Sequence, residues 1–243
     1  MMKSLELLEA QAAAWGVLLD NRRLDLLLRY ARLLASYEKA NVIGARDLDR
    51  ILLDHVLDSL SCFIHHPLWD AGRLADVGSG GGLPGIPISI VRPELRTILI
   101  ESTGKKAGFL RHAAEQLALG SLDVVNARVE DIGRTQGQRG AYDIVTTRAV
   151  ARLSVVAEYC VPLLDVGGQA VAMKAAFEGE EYEEGRRATG ALGAEIVGKE
   201  PVTMLPEVGE KVRNLVILEK VRETPARYPR KAGMVAKRPL GVR

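Results

Sequence analysis

The sequence predicts an α/β fold, doubly wound, with a seven-stranded, mainly parallel sheet, helices on both faces and an N-terminal helical extension. Three observations carry this. From Arg73 onward, short apolar runs alternate with helical stretches. A loop with four glycines, Gly78-Ser-Gly-Gly-Gly82, lies between the first such run and the helix after it. With 243 residues, 47% hydrophobic and 26% charged, the chain suits one such domain plus a small extension and is too apolar for wholesale disorder.

Each element follows from its residues. Leu5, Leu8, Ala12 and Trp15 share a helical face, and Gly16 is a stop. Asp20 or Asn21 caps a second helix carrying Leu24, Leu27, Leu28, Ala31 and Leu34 on one side. Asn41-Val-Ile-Gly44 is a connection, and Asp47 caps a third helix that runs to Phe63 and ends near His65-His66-Pro67. These N-terminal helices are expected to cap the sheet. Strands are predicted at Leu74–Val77, Thr97–Ile100, Leu122–Val125, Tyr142–Thr146, Gln169–Lys174, Val202–Leu205 and Leu215–Glu219. Helices fill Pro84 to Pro93, Lys105–Leu119, Ser154–Leu164 and Glu180–Leu192. The last two strands, joined by a short connection, are expected to be antiparallel. The predicted division is 1–70, helical extension; 71–220, α/β domain; 221–243, basic tail.

Charge and composition exclude several classes. Aromatics are only 5%, which excludes an RNA-binding sheet working mainly by base stacking. Two cysteines, Cys62 and Cys160, exclude a disulfide scaffold and fit a reducing compartment. No apolar run approaches the ~20 residues of a membrane span, and the acidic start argues against export, so a cytoplasmic protein is expected. The net charge of +2 hides a basic tail: residues 221–243 hold seven bases against one acid. A mildly acidic body with such a tail suits a polyanionic partner, although a solvated terminus has the same composition.

The segment from Asp76 to Gly85 carries the chemistry. Glycine there lets the backbone turn sharply and a ligand come close, and Pro84 suits the first turn of a helix. No Gly-Lys-Ser/Thr follows, so this is no P-loop, and Leu83 breaks the dinucleotide register beginning at Gly78. Glu101 closes the second strand, where a carboxylate can accept hydrogen bonds from both hydroxyls of an adenosyl ribose. That serves NAD and S-adenosyl-L-methionine alike. Asp76 favours the second, since a carboxylate suits a methionyl ammonium and repels a pyrophosphate. No tyrosine has Lys four residues on, and the sheet leaves no room for a separate substrate domain.

Asp76-Val-Gly-Ser-Gly-Gly-Gly-Leu-Pro-Gly-Ile-Pro-Ile-Ser-Ile-Val-Arg-Pro93 resembles the bacterial small-subunit ribosomal RNA methyltransferase G family, also called glucose-inhibited division protein B. Asn41-Val-Ile, His55-Val-Leu-Asp58-Ser59, Gly104-Lys-Lys with Phe109-Leu110, Arg128-Val-Glu130, Thr147-Arg-Ala149 and the ending Tyr228 to Leu240 agree with it. The resemblance spans nearly the whole chain. It implies a Rossmann-like class I methyltransferase, a cytoplasmic monomer, that uses S-adenosyl-L-methionine to methylate N7 of a guanine at position 527 of 16S ribosomal RNA, free or in a small-subunit assembly intermediate. It also implies a donor site at Asp76, Gly78, Gly80, Gly82, Leu83, Glu101, Ser102, Thr103, Val129, Glu130 and Arg148. Two departures are Val42-Ile43, where many members have Leu or Val followed by Thr, and Glu101, where some have Asp.

The residues allow that chemistry. Guanine N7 has a free lone pair and no proton to lose, so proximity and alignment suffice and no general base is needed. Cytosine C5 transfer would need a cysteine nucleophile, and Cys62 and Cys160 suit core positions better. Arg148, after the fourth strand, can hydrogen-bond a donor carboxylate, guanine O6 or a phosphate and is the expected positioning residue. Lys174 ends the fifth strand at the same edge. His55, Asp58 and Ser59 share a helical face, as an RNA-facing patch or as a helix–helix contact. With Asn41, Lys174 and the tail residues Arg227, Arg230, Lys231, Lys237 and Arg238 they are the expected RNA contacts. No metal centre is expected. Two further readings remain open: a non-enzymatic nucleotide-sensing RNA-binding protein on the same fold and, more distantly, an NAD-linked oxidoreductase.

Overall fold

Alternation along the strands sorts side chains into two buried layers. On β1 (Arg73–Val77), Leu74 joins one core while Ala75 and Val77 join the other. The structure, a computed structural model, describes residues 2–148, 151–175, 179–209 and 212–242. Ala149 of the quoted motif and Arg243 of the basic tail lie outside them.

Before β1 come α1 (Met2–Ala14), α2 (Asn21–Ser36), α3 (Leu48–Ile51), α4 (Leu57–Leu60) and α5 (Pro67–Asp70). Asp20 and Asp47 cap α2 and α3, accepting the N–H of Arg23 at 2.7 Å and of Arg50 at 2.8 Å. The predicted single helix from Asp47 to Phe63 is broken. A π-turn at Leu52–Val56 separates α3 from α4, and a 3-10 turn follows at Ser61–Ile64. One extra residue in the turn shifts the phase of Asp54 and His55 against the helix, and both line a cavity.

After β1 come α6 (Gly85–Val91), β2 (Arg96–Ile100), α7 (Gly104–Gln116), β3 (Leu122–Val125), α8 (Val129–Ile132), β4 (Tyr142–Arg148) and α9 (Leu153–Cys160). Then follow β5 (Leu164–Lys174), α10 (Glu180–Leu192), β6 (Ala194–Pro201), β7 (Asn214–Lys220) and α11 (Met234–Lys237). The seven strands run in the order β3-β2-β1-β4-β5-β7-β6. β7 alone runs opposite to the other six strands, so its pairings with β5 and β6 are antiparallel, as expected for the last pair. The N-terminal helices, α6 and α7 cover one face; α9, α10 and Tyr228 cover the other.

Two strands differ from expectation. β5 begins at Leu164, because the 3-10 turn Val161–Leu163 ends the preceding helix early. β6 is Ala194–Pro201 rather than Val202–Leu205. It is an edge strand whose exposed side chains include Glu195, Lys199 and Pro201, the polar pattern that keeps an edge from pairing further. Thr203 instead meets the N-terminal layer, its carbonyl accepting from Gln11 Nε2 at 3.3 Å and Trp15 Nε1 at 3.1 Å.

Candidate active site

Two cavities open beyond the carboxyl ends of the central strands and share Ala151. The smaller, about 220 Å³, is lined among others by Gly78, Ile100, Ser102, Val129, Glu130 and Tyr159. The larger, about 600 Å³, is lined among others by His55, Asp58, Thr147, Arg148, Lys174 and Arg213. Thr147 Oγ1 donates to the Val77 carbonyl at 3.0 Å, tying a wall of one to a wall of the other.

The glycine loop is held by its surroundings. Gly78, Gly80 and Gly82 have φ of 70°, 57° and 92°, a left-handed region open to glycine. At Gly85 a Cβ would stand 2.4 Å from Leu99 Cδ2 and 2.9 Å from Asp76 Oδ2, so the helix start and β1 approach only because that side chain is absent. Tyr30 of α2, fully buried, donates to the Gly81 carbonyl at 2.6 Å. Val42 packs its carbonyl against Gly81 as well, which sets exposed Asn41 beside the loop. Glu101 is 6% exposed and accepts the N–H of Gly80 at 3.0 Å and of Thr103 at 2.7 Å, one on each oxygen. Each oxygen keeps a lone pair for a hydroxyl.

Asp76 departs from expectation. Its side chain is fully buried, accepting Thr146 Oγ1 at 3.0 Å and the Gly85 N–H at 3.3 Å. Burial pushes its pKa up to about 6, against the lowering by Ser79, Thr146, Gly85 and Arg148. It supports the loop from beneath and lines neither cavity. Leu83, expected at the donor, lies in the core beside Ile86, and Gly82 is buried with it. Ser102 and Thr103 are exposed, and Ser102 lines the smaller cavity.

The larger cavity is built of ions. Asp58, 2% exposed, receives Arg148 Nη1 on one oxygen and Arg213 Nε on the other, each at 3.1 Å. Arg148 Nη2 lies 2.9 Å from His55 Nδ1. An arginine can only donate, so Nδ1 is the acceptor and the ring proton sits on Nε2. Lys174 reaches Glu181 at 2.7 Å and the Ala151 carbonyl at 3.0 Å. Ser59 is fully buried and donates to the His55 carbonyl at 2.7 Å, so it locks the helix and does not face RNA.

The tail also departs from the free basic segment expected. Arg230 turns inward: its backbone N–H and its Nε reach Glu158, itself fully buried, at 2.7 and 2.9 Å. The Arg230 guanidinium is thereby paired with α9, where a free RNA-facing side chain was expected. Arg139 grips the Thr224 and Tyr228 carbonyls, and Arg134 that of Pro229. Arg227, Lys231, Lys237 and Arg238 stay exposed. Burial pushes both thiols, Cys62 and Cys160, well above the ordinary value, so neither is a nucleophile.

Sequence reasoning missed Tyr30, Arg213 and Glu158. Tyr30 had a signal, as the one aromatic on the apolar face of the second helix. Arg213 and Glu158 act through partners 155 and 72 residues away, which spacing cannot reveal. Among the described residues no helix is long and apolar enough to cross a membrane.

A model of the family described as rRNA small subunit methyltransferase G matches residues 23–215. The ribosomal RNA small subunit methyltransferase G of Rubrobacter xylanophilus is 59% identical over 236 residues, covering 97% of this chain and 90% of its own. That of Roseiflexus sp. strain RS-1 is 43% identical, covering 97% and 100%. Among solved structures, the S-adenosylmethionine-dependent methyltransferase SibL superposes with a TM-score of 0.55 at 13% identity over 81% of this chain and 70% of its own. A branched-chain polyamine synthase mutein from Thermus thermophilus gives 0.57 at 14% identity, over 82% and 64%. At such identities the likeness concerns the fold alone, that of class I methyltransferases.

Proposed function

The chain belongs to the rRNA small subunit methyltransferase G family, and from that premise we propose that it methylates N7 of the guanine at position 527 of 16S ribosomal RNA. The observation that carries the reading is the pair of cavities meeting at Ala151, one lined by Gly78, Ile100 and Ser102, with Glu101 between the last two in the chain, the other by Arg148 and Lys174. The first fits S-adenosyl-L-methionine: Gly78 leaves the backbone open, Ile100 and Val129 offer apolar walls, and Glu101 accepts hydroxyl donors. That donor, when bound, supplies a methyl group on a positively charged sulfur.

The chain's own work is positional. Glu101, fixed by two backbone N–H groups, orients a ribose diol. Asp58 fixes the Arg148 guanidinium at the junction, where it can hold a base edge or a phosphate. No residue has to remove a proton, because guanine N7 carries none. His55, its Nδ1 occupied by Arg148, serves to orient that arginine. Exposed Lys231, Lys237, Arg227 and Arg238, with Asn41 and Lys174, extend the RNA footprint. Three parts share the work: residues 1–70 frame the acceptor side, 71–220 hold the donor, and 221–243 add basic surface. The protein is read as a cytoplasmic monomer.

Incubation with labelled donor and small-subunit RNA lacking the modification, followed by mapping, tests this. Label at N7 of guanine 527 is expected. Label at another atom or residue, or none with free RNA and with assembled subunits alike, would refute it.

A further inference from the structure

Beyond β7 the chain packs on α9, passes the smaller cavity at Ala236 and continues to α10, where the Gly241 carbonyl accepts Arg187 Nε at 2.7 Å. Its anchor is the Arg230–Glu158 pair. Three residues on, the Gly233 N–H donates to Glu130 Oε1 at 3.2 Å, and Glu130 lines that cavity. α11 then packs against α9, with Val235 fully buried and Ala236 lining the cavity together with Gly78 and Ser102. The basic side chains Lys231, Lys237 and Arg238 point the other way, into solvent.

We propose that residues 230–237 form a strap that completes the donor cavity, with Ala236 as a wall residue and Arg230 as the positioning residue that holds the wall in place. This rests on reading that cavity as the S-adenosyl-L-methionine site. A methyl side chain at 236 leaves the cavity open, while a larger one would project into it. Glu158 and Arg230 lie away from the cavity, so they act only through the placement of 233–236. The strap therefore contributes to donor affinity and not to the acceptor side, where Asp58, Arg148 and Arg213 form a separate cluster.

The test is calorimetric titration of S-adenosyl-L-methionine into wild type, Ala236→Phe and Arg230→Ala, each checked for melting temperature, with steady-state kinetics on the RNA. Ala236→Phe is expected to raise the donor Kd at least tenfold and the donor KM with it, with kcat recovered at saturating donor. Arg230→Ala, which releases the anchor without touching the cavity, is expected to raise Kd at least threefold. Unchanged donor affinity in either variant that melts normally would overturn the strap. Should Ala236→Phe not fold, Arg230→Ala decides by the same criterion. Wild type that binds no donor would overturn the methyltransferase reading together with the strap; wild type and variants that bind equally well would overturn the strap alone.

Discussion

At the mouth of the larger cavity, proposed for the acceptor, charges are held by other side chains: Asp58 by Arg148 and Arg213, Lys174 by Glu181. Around the glycine loop and the smaller cavity, carboxylates are held by backbone: Glu101 by the N–H groups of Gly80 and Thr103, Glu130 by that of Gly233, Asp76 in part by that of Gly85. On the proposed reading, the difference follows from the two ligands. A small donor of fixed shape is met by a loop whose backbone the carboxylates fix, so that glycines and apolar walls form the surface. A polyanionic RNA is met by guanidinium and ammonium groups, which must be kept apart and aimed, and buried Asp58 does that for two of them. Loss of a side-chain partner at the mouth leaves a charge stranded; loss of a carboxylate at the donor loosens a loop.

The largest effect should come at the mouth. Asp58→Ala strands Arg148, whose side chain is 17% exposed, and Arg213, 33% exposed. Breaking a buried pair costs roughly 3–5 kcal/mol, and the exposure of Arg213 puts this site at the lower end, ~3 kcal/mol. Chemical denaturation should show that loss, with methyl transfer falling more steeply than donor binding. A loss below ~1 kcal/mol would mean that Asp58 does not organise the mouth.

A second effect belongs to the donor loop and depends on pH. Asp76 has its pKa raised from the ordinary 3.8 to about 6 by burial. A carboxyl that binds its proton more tightly when folded adds stability below the unfolded value and loses it as pH rises through the folded one. The span corresponds to about 3 kcal/mol at most. The unfolding free energy of wild type minus that of Asp76→Asn should therefore fall between pH 4 and pH 7. A flat difference would show that Asp76 is as well solvated in the fold as in the unfolded chain.

These two sides were unequally legible in the sequence. Four glycines in five residues after an apolar run placed the glycine loop at the carboxyl end of β1, beside the smaller cavity, because strand–loop–helix order fixes where such a loop sits. The same reasoning put Asp76 at the donor, since spacing says nothing of Thr146, whose hydroxyl draws the carboxylate inward. Arg148 was legible as a residue at the strand edge from its place at the end of the fourth strand, yet it lines the larger cavity and not the smaller, whereas the resemblance put it at the donor. Arg213 was not legible, because its partner is Asp58 on a distant helix. The tail's composition suggested an RNA-binding arm; the buried Glu158 that folds it back lies within a helix whose pattern is otherwise apolar. Polar edge strand β6 was missed because its pattern lacks the apolar alternation of a strand buried on one face.

The division between a donor side and an acceptor side is tested most directly by one paired measurement: S-adenosyl-L-methionine affinity and single-turnover methyl transfer at saturating donor, in Glu101→Ala and Arg148→Ala. Charged hydrogen bonds of ~1.5–3 kcal/mol predict a donor Kd raised roughly tenfold to over a hundredfold in Glu101→Ala, with transfer recovered at saturation. Arg148→Ala should bind donor within about twofold of wild type and lose at least a hundredfold in transfer, ~2.7 kcal/mol by the rate relation. The reverse pattern, with donor affinity lost in Arg148→Ala and intact in Glu101→Ala, would contradict the assignment of the two cavities.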